Sequence, residues 1–365
     1  MSDDGPAAGA GPIIGIVAEY NPFHCGHRYH IARSLELTGA AGVVAVMSGD
    51  FVQRGEPALI DKWRRARAAV KHGVDLVLEL PFLYATGSAE CFASGAVRLL
   101  NAMGCVTHLS FGCEEGAVGP LMEAARVLAS EAPAFKEALR AELKTGRSFP
   151  RARAEALRRE AGDAVARLLD HPNNILAVEY LKQCLRTGSR LKPVAVQRVG
   201  AGYFEADSRV RVAGAAAIRD LLLSGRREEA LFYMPEWEGA PAVQSMDGYF
   251  ALIAAVARLR SREELREIVS ASEGLENRLL RALDGAFDMP SLIAAIKTKR
   301  YTETRVRRFL LHTLFGITRE RFAALDATWP GYLRVLALSE RGGDILRLVK
   351  KRTDMTVITN LHRRD

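Results

Sequence analysis

Unbroken apolar runs alternate with amphipathic stretches through the first third of the chain. The runs "IIGIVAE" (residues 13–19), "AGVVAVMSG" (41–49), "VDLVLELPF" (74–82) and "VTHLSFGCE" (106–114) predict strands apolar along their whole length. A strand of that kind belongs to a parallel sheet covered on both faces. Between them, "YHIARSLELTG" (29–39), "DKWRRARAAVKHG" (61–73) and "SAECFASGAVRLLNAMG" (88–104) carry the helical period and stop at glycine. Strands separated by single helices predict right-handed βαβ units and an α/β fold. From Val118 to Leu185 the helical period dominates. A return to extended structure near Val194 to Arg198 follows, then the helix "AAAIRDLLLSG" (215–225). From about Tyr249 to the end the pattern reads as almost wholly helical. This order predicts a short flexible leader over 1–12, an α/β domain over 13–235 and a helical domain over 236–365.

Composition narrows the class. Of 365 residues, 48% are hydrophobic and 26% charged, which suits a folded globular chain and excludes wholesale disorder. The formal charge of +8 favours a polyanionic partner, because Lys and Arg displace counterions from phosphates. Five cysteines, an odd number with no CxxC pair, support neither a disulfide framework nor a cysteine zinc site, and point to a reducing, cytoplasmic setting. The N-terminal residues carry acids and small side chains, unlike a signal peptide. No apolar run approaches the roughly 20 residues that cross a bilayer, so no membrane partner is expected.

The chemistry concentrates where the first strand ends, in "VAEYNPFHCGHRYH" (17–30). Ligands of open parallel sheets bind beyond the carboxyl ends of the strands, and a following helix aims N–H groups at anions there. Gly26 lets a bulky phosphate approach the backbone. His24 and His27, three residues apart, fall on one side of a helix start. Two imidazole donors there can stabilise charge that grows at phosphorus. Three other readings compete: a metal site from His24, Cys25, His27 and His30, a reactive Cys25 thiol, and histidines that only cap the helix or bond in the core.

"HCGH" fits the HxGH signature of the nucleotidyltransferase superfamily. Together with "VMSGDFVQRGEPALIDKWRRARAAVKHGVDLVLELPFLYA", "FGCEEG", "HPNNILAVEYLK", "RVGAGYFE", "AAAIRDLL" and "IKTKRYTETRVRRFLLHTLFGI", it resembles the tRNA(Met) cytidine acetate ligase family. The resemblance runs in blocks from Ile13 to Ile317. It implies a Rossmann-like nucleotidyltransferase (HUP-type) sheet followed by a helical domain. It also implies ATP-dependent formation of acetyl-adenylate and transfer of the acetyl group to the wobble cytidine of elongator tRNA(Met). The partners it implies are ATP, accompanied by Mg²⁺, together with acetate and the tRNA; it says nothing of oligomeric state.

By that resemblance, His24 and His27 are the catalytic pair at the triphosphate. Val17, Ala18, Glu19, Tyr20, Asn21, Pro22, Phe23, Cys25, Gly26, Arg28, Tyr29 and His30 form the ATP cradle around them. Gly112, Asn173 and Arg198 complete the nucleotide site, although an Asn at 173 or 174 also suits a helix cap. No resident metal ligand is implied. Gly214 and Ala216 stand where the superfamily usually has hydroxyl residues ahead of Arg219. The basic run with Lys297, Lys299, Arg300, Arg305, Arg307 and Arg308 around Tyr301 suits RNA phosphates and an unstacked base, and Lys297, Lys299 and Arg300 are its candidate tRNA contacts. The helix "DKWRRARAAVKHG" either extends that surface or is a plain solvent face. A small-molecule adenylyltransferase and a non-catalytic RNA-binding protein are the alternatives to the ligase.

Overall fold

The structure, a computed structural model, describes residues 11–198, 213–235, 243–272 and 274–360. Its strands are β1 (Ile13–Ala18), β2 (Gly42–Ser48), β3 (Phe51–Val52), β4 (Glu56–Pro57), β5 (Leu76–Leu80), β6 (His108–Cys113), β7 (Lys192–Gln197), β8 (Tyr332–Leu338) and β9 (Thr356–Ile358). Seven form one sheet in the order β7-β6-β1-β2-β5-β8-β9. The five from β7 to β5 run parallel, β8 is antiparallel to β5, and β9 is parallel to β8. All seven residues of β2 are buried, as a central strand covered on both faces requires.

Helices α1 (Cys25–Thr38), α2 (Lys62–Lys71), α3 (Phe82–Ala85) and α4 (Ala89–Ala102) cover the sheet. One face of the sheet packs Ile14, Ile16, Val43, Ala45 and Met47 against Ile31 of α1 and Ala66 and Ala69 of α2. The other buries Val44, Val46 and Leu78 against α4 and the helices between 118 and 187. Because β1 pairs with β2 on one side and β6 on the other, the chain reverses its direction of growth across the sheet between β1 and β6. That reversal opens the crevice where such sheets bind ligands.

The stretch from 246 to 314 builds its own apolar core, with Ile253, Leu279, Leu292 and Phe309 fully buried. It meets the α/β part at the small β3–β4 hairpin, which the strand pattern does not announce. Phe51 of β3 packs edge-on against Phe82, Tyr249 and Phe315, with ring centroids 5.2 to 5.7 Å away. Gly55 turns the hairpin at φ +77°, and a Cβ there would lie 2.4 Å from the Arg308 amide nitrogen. The helix Glu303–Phe315 thus seats directly on the turn.

The end of the chain differs from the helical expectation. Residues 332–338 and 356–358 are strands, and they extend the sheet past β5. In "YLRVLAL", Leu333 and Val335 point inward, whereas Arg334 pairs with Glu79 at 2.8 Å and stacks over Trp63. Asp75 clamps this return: its Oδ1 accepts from Ser339 Oγ, its Oδ2 from the Val43 amide, and its carbonyl from the Ser339 amide.

Candidate active site

β1 ends in a loop with a fixed, strained shape. Tyr20 sits at φ +46°, in the left-handed region that a tyrosine seldom adopts. The loop is held from below by Arg65, a fully buried side chain on α2. Arg65 donates to the carbonyls of Ile60, Glu19, Ser48 and Gly49, so one guanidinium ties the ends of β1 and β2 together. Glu19 is half-buried, its desolvation raises its pKa, and its Oε1 accepts from the Gln53 amide at 2.9 Å. Asn21 is 2% exposed; its Oδ1 accepts from the Leu59 amide and its carbonyl from Arg219 Nη1.

His24 is the N-cap of α1, in extended backbone geometry. Its Nδ1 accepts from the Gly26 amide at 3.1 Å, and His27 Nδ1 accepts in turn from the His24 amide at 3.2 Å. This is a capping box built from two imidazoles. It decides the tautomer. Each Nδ1 is an acceptor, so each neutral ring carries its proton on Nε2. The two rings stack with centroids 3.7 Å apart. Burial pushes the His24 pKa down to about 3, and the guanidiniums of Arg198 and Arg219 add to the effect. His27 lies well below its ordinary value, from burial and then from His24, His30 and Arg198. The pair is therefore neutral at physiological pH and offers two Nε2–H donors.

The capping box corrects one expectation. The first amides of α1 are not free for an anion: Cys25 donates to the Tyr233 carbonyl, Gly26 to His24 Nδ1, and His27 to the His24 carbonyl. Imidazole donors and nearby guanidiniums take over the role that bare N–H groups were expected to fill. Two buried polar atoms of the loop, Tyr20 OH and Asn21 Nδ2, have no partner among the described residues. Orphaned donors of this kind fit a site completed by a ligand.

The other expected residues lie along the same edge of the sheet. Gly112 is in β6, and the Arg198 amide bonds to the Cys113 carbonyl at 2.9 Å. A Cβ on Gly112 would meet Arg198 Cγ at 3.5 Å, an ordinary contact, so the protein's own atoms leave room for a side chain there. Asn173 donates to Glu114 Oε1 at 2.6 Å, and Asn174 Oδ1 accepts from the Glu114 and Glu115 amides. Neither Asn caps its own helix, whose N-cap is His171. His30 differs from the pair: its Nε2 meets Ser110 Oγ at 2.9 Å, tying α1 to β6, and burial lowers its pKa to about 4. Burial raises the Cys25 thiol pKa, against the reactive-thiol reading. Among the described residues no group of three or more His, Cys, Asp or Glu could hold a metal ion.

Gly214 caps the helix Ala215–Leu223 with no side-chain bond, and a Cβ there would meet no atom within 4 Å among the described residues. Arg219 on that helix reaches the loop, bonding the Asn21 carbonyl at 3.0 Å. The residues 199–212, which include most of the block "RVGAGYFE", lie outside the described residues, as does the leader up to residue 10.

The basic run divides. Lys297, Lys299 and Arg300 are exposed. Tyr301, expected beside them as a stacking platform, is 5% exposed and packs in the helical core, so it presents no face to a base. Arg305 bonds Ser272, Arg307 pairs with Glu56 and Glu303, and Arg308 donates to the Gly87 carbonyl. Arg307 and Arg308 hold the helical part to the α/β part, whereas the Arg305 bond stays within the helical part. On α2, Lys62 pairs with Asp50 and Glu79, and Arg65 is the buried anchor. That helix is therefore not a free basic face. Arg65 lies one turn from Ala69 on the apolar side, the one signal in the sequence that it turns inward.

A strained loop, an imidazole pair and converging arginines at the β1–β6 crevice define a nucleotidyltransferase. The sequence model of the HIGH Nucleotidyl Transferase family matches residues 12–365. The tRNA(Met) cytidine acetate ligase of Clostridium perfringens strain ATCC 13124 is 39% identical over 362 residues, covering 96% of this chain and 90% of its own. That of Caldanaerobacter subterraneus subsp. tengcongensis is 41% identical over 359 residues, 95% and 88% of the two chains. A crystal structure of Thermotoga maritima TmcAL bound with alpha-thio ATP superposes with a TM-score of 0.88 at 36% identity, covering 96% of this chain and 86% of that one. The chain belongs to the tRNA(Met) cytidine acetate ligase family.

Proposed function

We propose that the protein activates acetate with ATP and transfers the acetyl group to the wobble cytidine of elongator tRNA(Met), giving N4-acetylcytidine. In the first step an acetate oxygen attacks the α-phosphorus, and pyrophosphate leaves with the bonding electrons. A carboxylate alone is a poor acyl donor because its leaving group would be oxide, whereas the mixed anhydride releases AMP. In the second step the cytosine amine attacks the acetyl carbon, the bond to AMP breaks, and a proton leaves the nitrogen.

The observation that carries this reading is the imidazole pair just past the end of β1, locked by its capping bonds so that each neutral ring carries its proton on Nε2. Neutral donors suit this chemistry, since they bind the growing charge on the transferred phosphate and need no proton shift beforehand. Arg198, which depresses His24, His27 and His30, is the cation set to balance the triphosphate. Mg²⁺ is expected to travel with the nucleotide, since such ions are held mainly by phosphates and water. Lys297, Lys299 and Arg300 are the proposed contacts to the tRNA backbone, and a helical domain from about residue 236 is the part that carries them. The cytoplasm is the proposed location, consistent with five free cysteines. No helix among the described residues is long and apolar enough to cross a membrane.

The test is mass spectrometry of elongator tRNA(Met) incubated with protein, ATP and labelled acetate. The expected result is one labelled acetyl group on the wobble cytidine, dependent on ATP. Label that is absent, or that appears without ATP, contradicts the reading.

A further inference from the structure

A cleft of about 820 Å³ lies between the hairpin β3–β4, the helix Ala215–Leu223 and the helical part of the chain. Its volume is that of a site for a drug-sized or nucleotide-sized ligand. One end abuts the nucleotide loop through two lining residues: Leu59 donates to Asn21 Oδ1 at 2.7 Å, and Arg219 to the Asn21 carbonyl at 3.0 Å. The other end is lined by Lys297 and Arg307, which belong to the basic run. A second cavity of similar volume, lined by residues 130–144, has no such connection.

The charges in the cleft are ordered. Arg219 faces Glu56 at 3.9 Å, Glu56 pairs with Arg307 at 2.7 Å, Arg307 with Glu303 at 2.7 Å, and Glu303 with Lys297 at 2.9 Å. The carboxylates of Glu56 and Glu303 are thus already held by cations. Asp220, also lining the cleft, is exposed and makes no side-chain bond among the described residues. Met246, Met289 and Ile293 supply apolar wall. The walls therefore offer Lys297 and Arg307 as cations, an apolar flank, and two carboxylates held by no cation among the described residues: Asp247, whose Oδ2 accepts from Ser245 Oγ at 3.3 Å, and Asp220, the one beside the arginine that touches the nucleotide loop.

We propose that this cleft admits the acceptor base: a single unstacked pyrimidine nucleotide of the RNA enters it. Its phosphate lies toward Lys297, an exposed cation of the lining, and its exocyclic amine donates to Asp220. A carboxylate is the side chain that reads the N4 amine of cytosine, whereas uracil offers only a carbonyl there. An activated acyl group made at the β1–β6 crevice and a base held in an RNA loop must meet, and this cleft shares a wall with the nucleotide loop through Leu59 and Arg219. The inference rests on the ligase reading above and adds where the acceptor enters.

The test fills the cleft from a surface position. Ala294 lines the cleft and is exposed; its neighbour Ala295 is exposed and does not line it. In Ala294→Trp, acetyl transfer to tRNA is expected to fall at least 50-fold relative to acetate-dependent ATP–pyrophosphate exchange. Ala295→Trp is expected to leave both unchanged. Asp220→Asn is expected to lower transfer 5- to 100-fold with a smaller effect on exchange. Equal transfer in the two Trp variants overturns the proposal, as does parallel loss of exchange and transfer in Ala294→Trp. Wild-type protein with no acetate-dependent exchange contradicts the ligase reading itself, a separate outcome.

Discussion

His24 serves two ends with one ring. Its Nδ1 caps α1, and its Nε2–H is left for a ligand. The two roles separate by substitution, because asparagine is also a strong N-cap but has no donor at the Nε2 position. His24→Ala is expected to cost about 1 kcal/mol of folding stability in urea unfolding, and His24→Asn less than about 0.5 kcal/mol. The histidines also set a pH dependence. His24, His30 and His312, the last a buried residue of the helix Glu303–Phe315, have folded pKa values of about 3, 4 and 4, below the ordinary 6.5, because burial disfavours the charged form. The unfolded chain binds these protons first as pH falls. Their contribution is intact above pH 6.5 and is lost progressively from there down toward pH 4, by up to about 1.4 kcal/mol per pH unit for each ring. Urea midpoints measured from pH 7 to pH 5 should therefore fall, and His30→Asn should make the fall shallower. A flat profile would contradict neutral, buried rings. The HxGH spacing itself was legible in the sequence. Capping by these histidines stood there only as a competing reading; that it takes the form of a reciprocal box was not legible, because this depends on the backbone angles of His24, which a residue pattern does not contain.

Elements were legible where they are long and apolar. β1, β2, β5 and β6 fall within the runs that predict them, β7 starts two residues before the expected Val194, and α1 begins four residues earlier than its periodicity suggests, which places the whole HxGH motif at its first turn. β3 and β4 have two residues each, too short for any period to register. β8 sits in a region of helical spacing, where a brief alternation around Arg334 was the only trace. The hairpin matters more than its size suggests, since Gly55 lets the backbone of Arg307 and Arg308 approach. A side chain at φ +77° with 2.4 Å to a backbone nitrogen has no room. Gly55→Ala is expected to lower the thermal midpoint by several degrees and to raise proteolysis between the helical core and the sheet, read by limited digestion. At the N-cap of Ala215–Leu223, Gly214→Ser has open space and a stronger capping group. It is expected to gain a few tenths of a kcal/mol of stability and to tighten ATP binding a few-fold, measured by calorimetry.

Across the whole molecule, positive charge sorts into two kinds. Arg65, Arg307 and Arg308 are internal struts, each bonded to carbonyls or carboxylates on another element. Lys297, Lys299 and Arg300 remain at the surface. Net charge alone could not separate them, because the partition is made by tertiary packing. Replacing those three surface cations together with Ala is expected to weaken tRNA binding and reduce the slope of log affinity against log salt by about 2 to 3. An unchanged slope would remove that segment from the RNA surface. The proposed chemistry turns on the Nε2–H pair meeting a triphosphate at the β1–β6 crevice. Acetate-dependent ATP–pyrophosphate exchange by the His24→Asn protein is the sharpest test, because the cap is kept and the donor is not. The expected result is a loss of 100-fold or more, the order found for removal of one transition-state donor, with tRNA affinity and the unfolding midpoint close to wild type. Exchange within a few-fold of wild type would contradict a catalytic role for the pair.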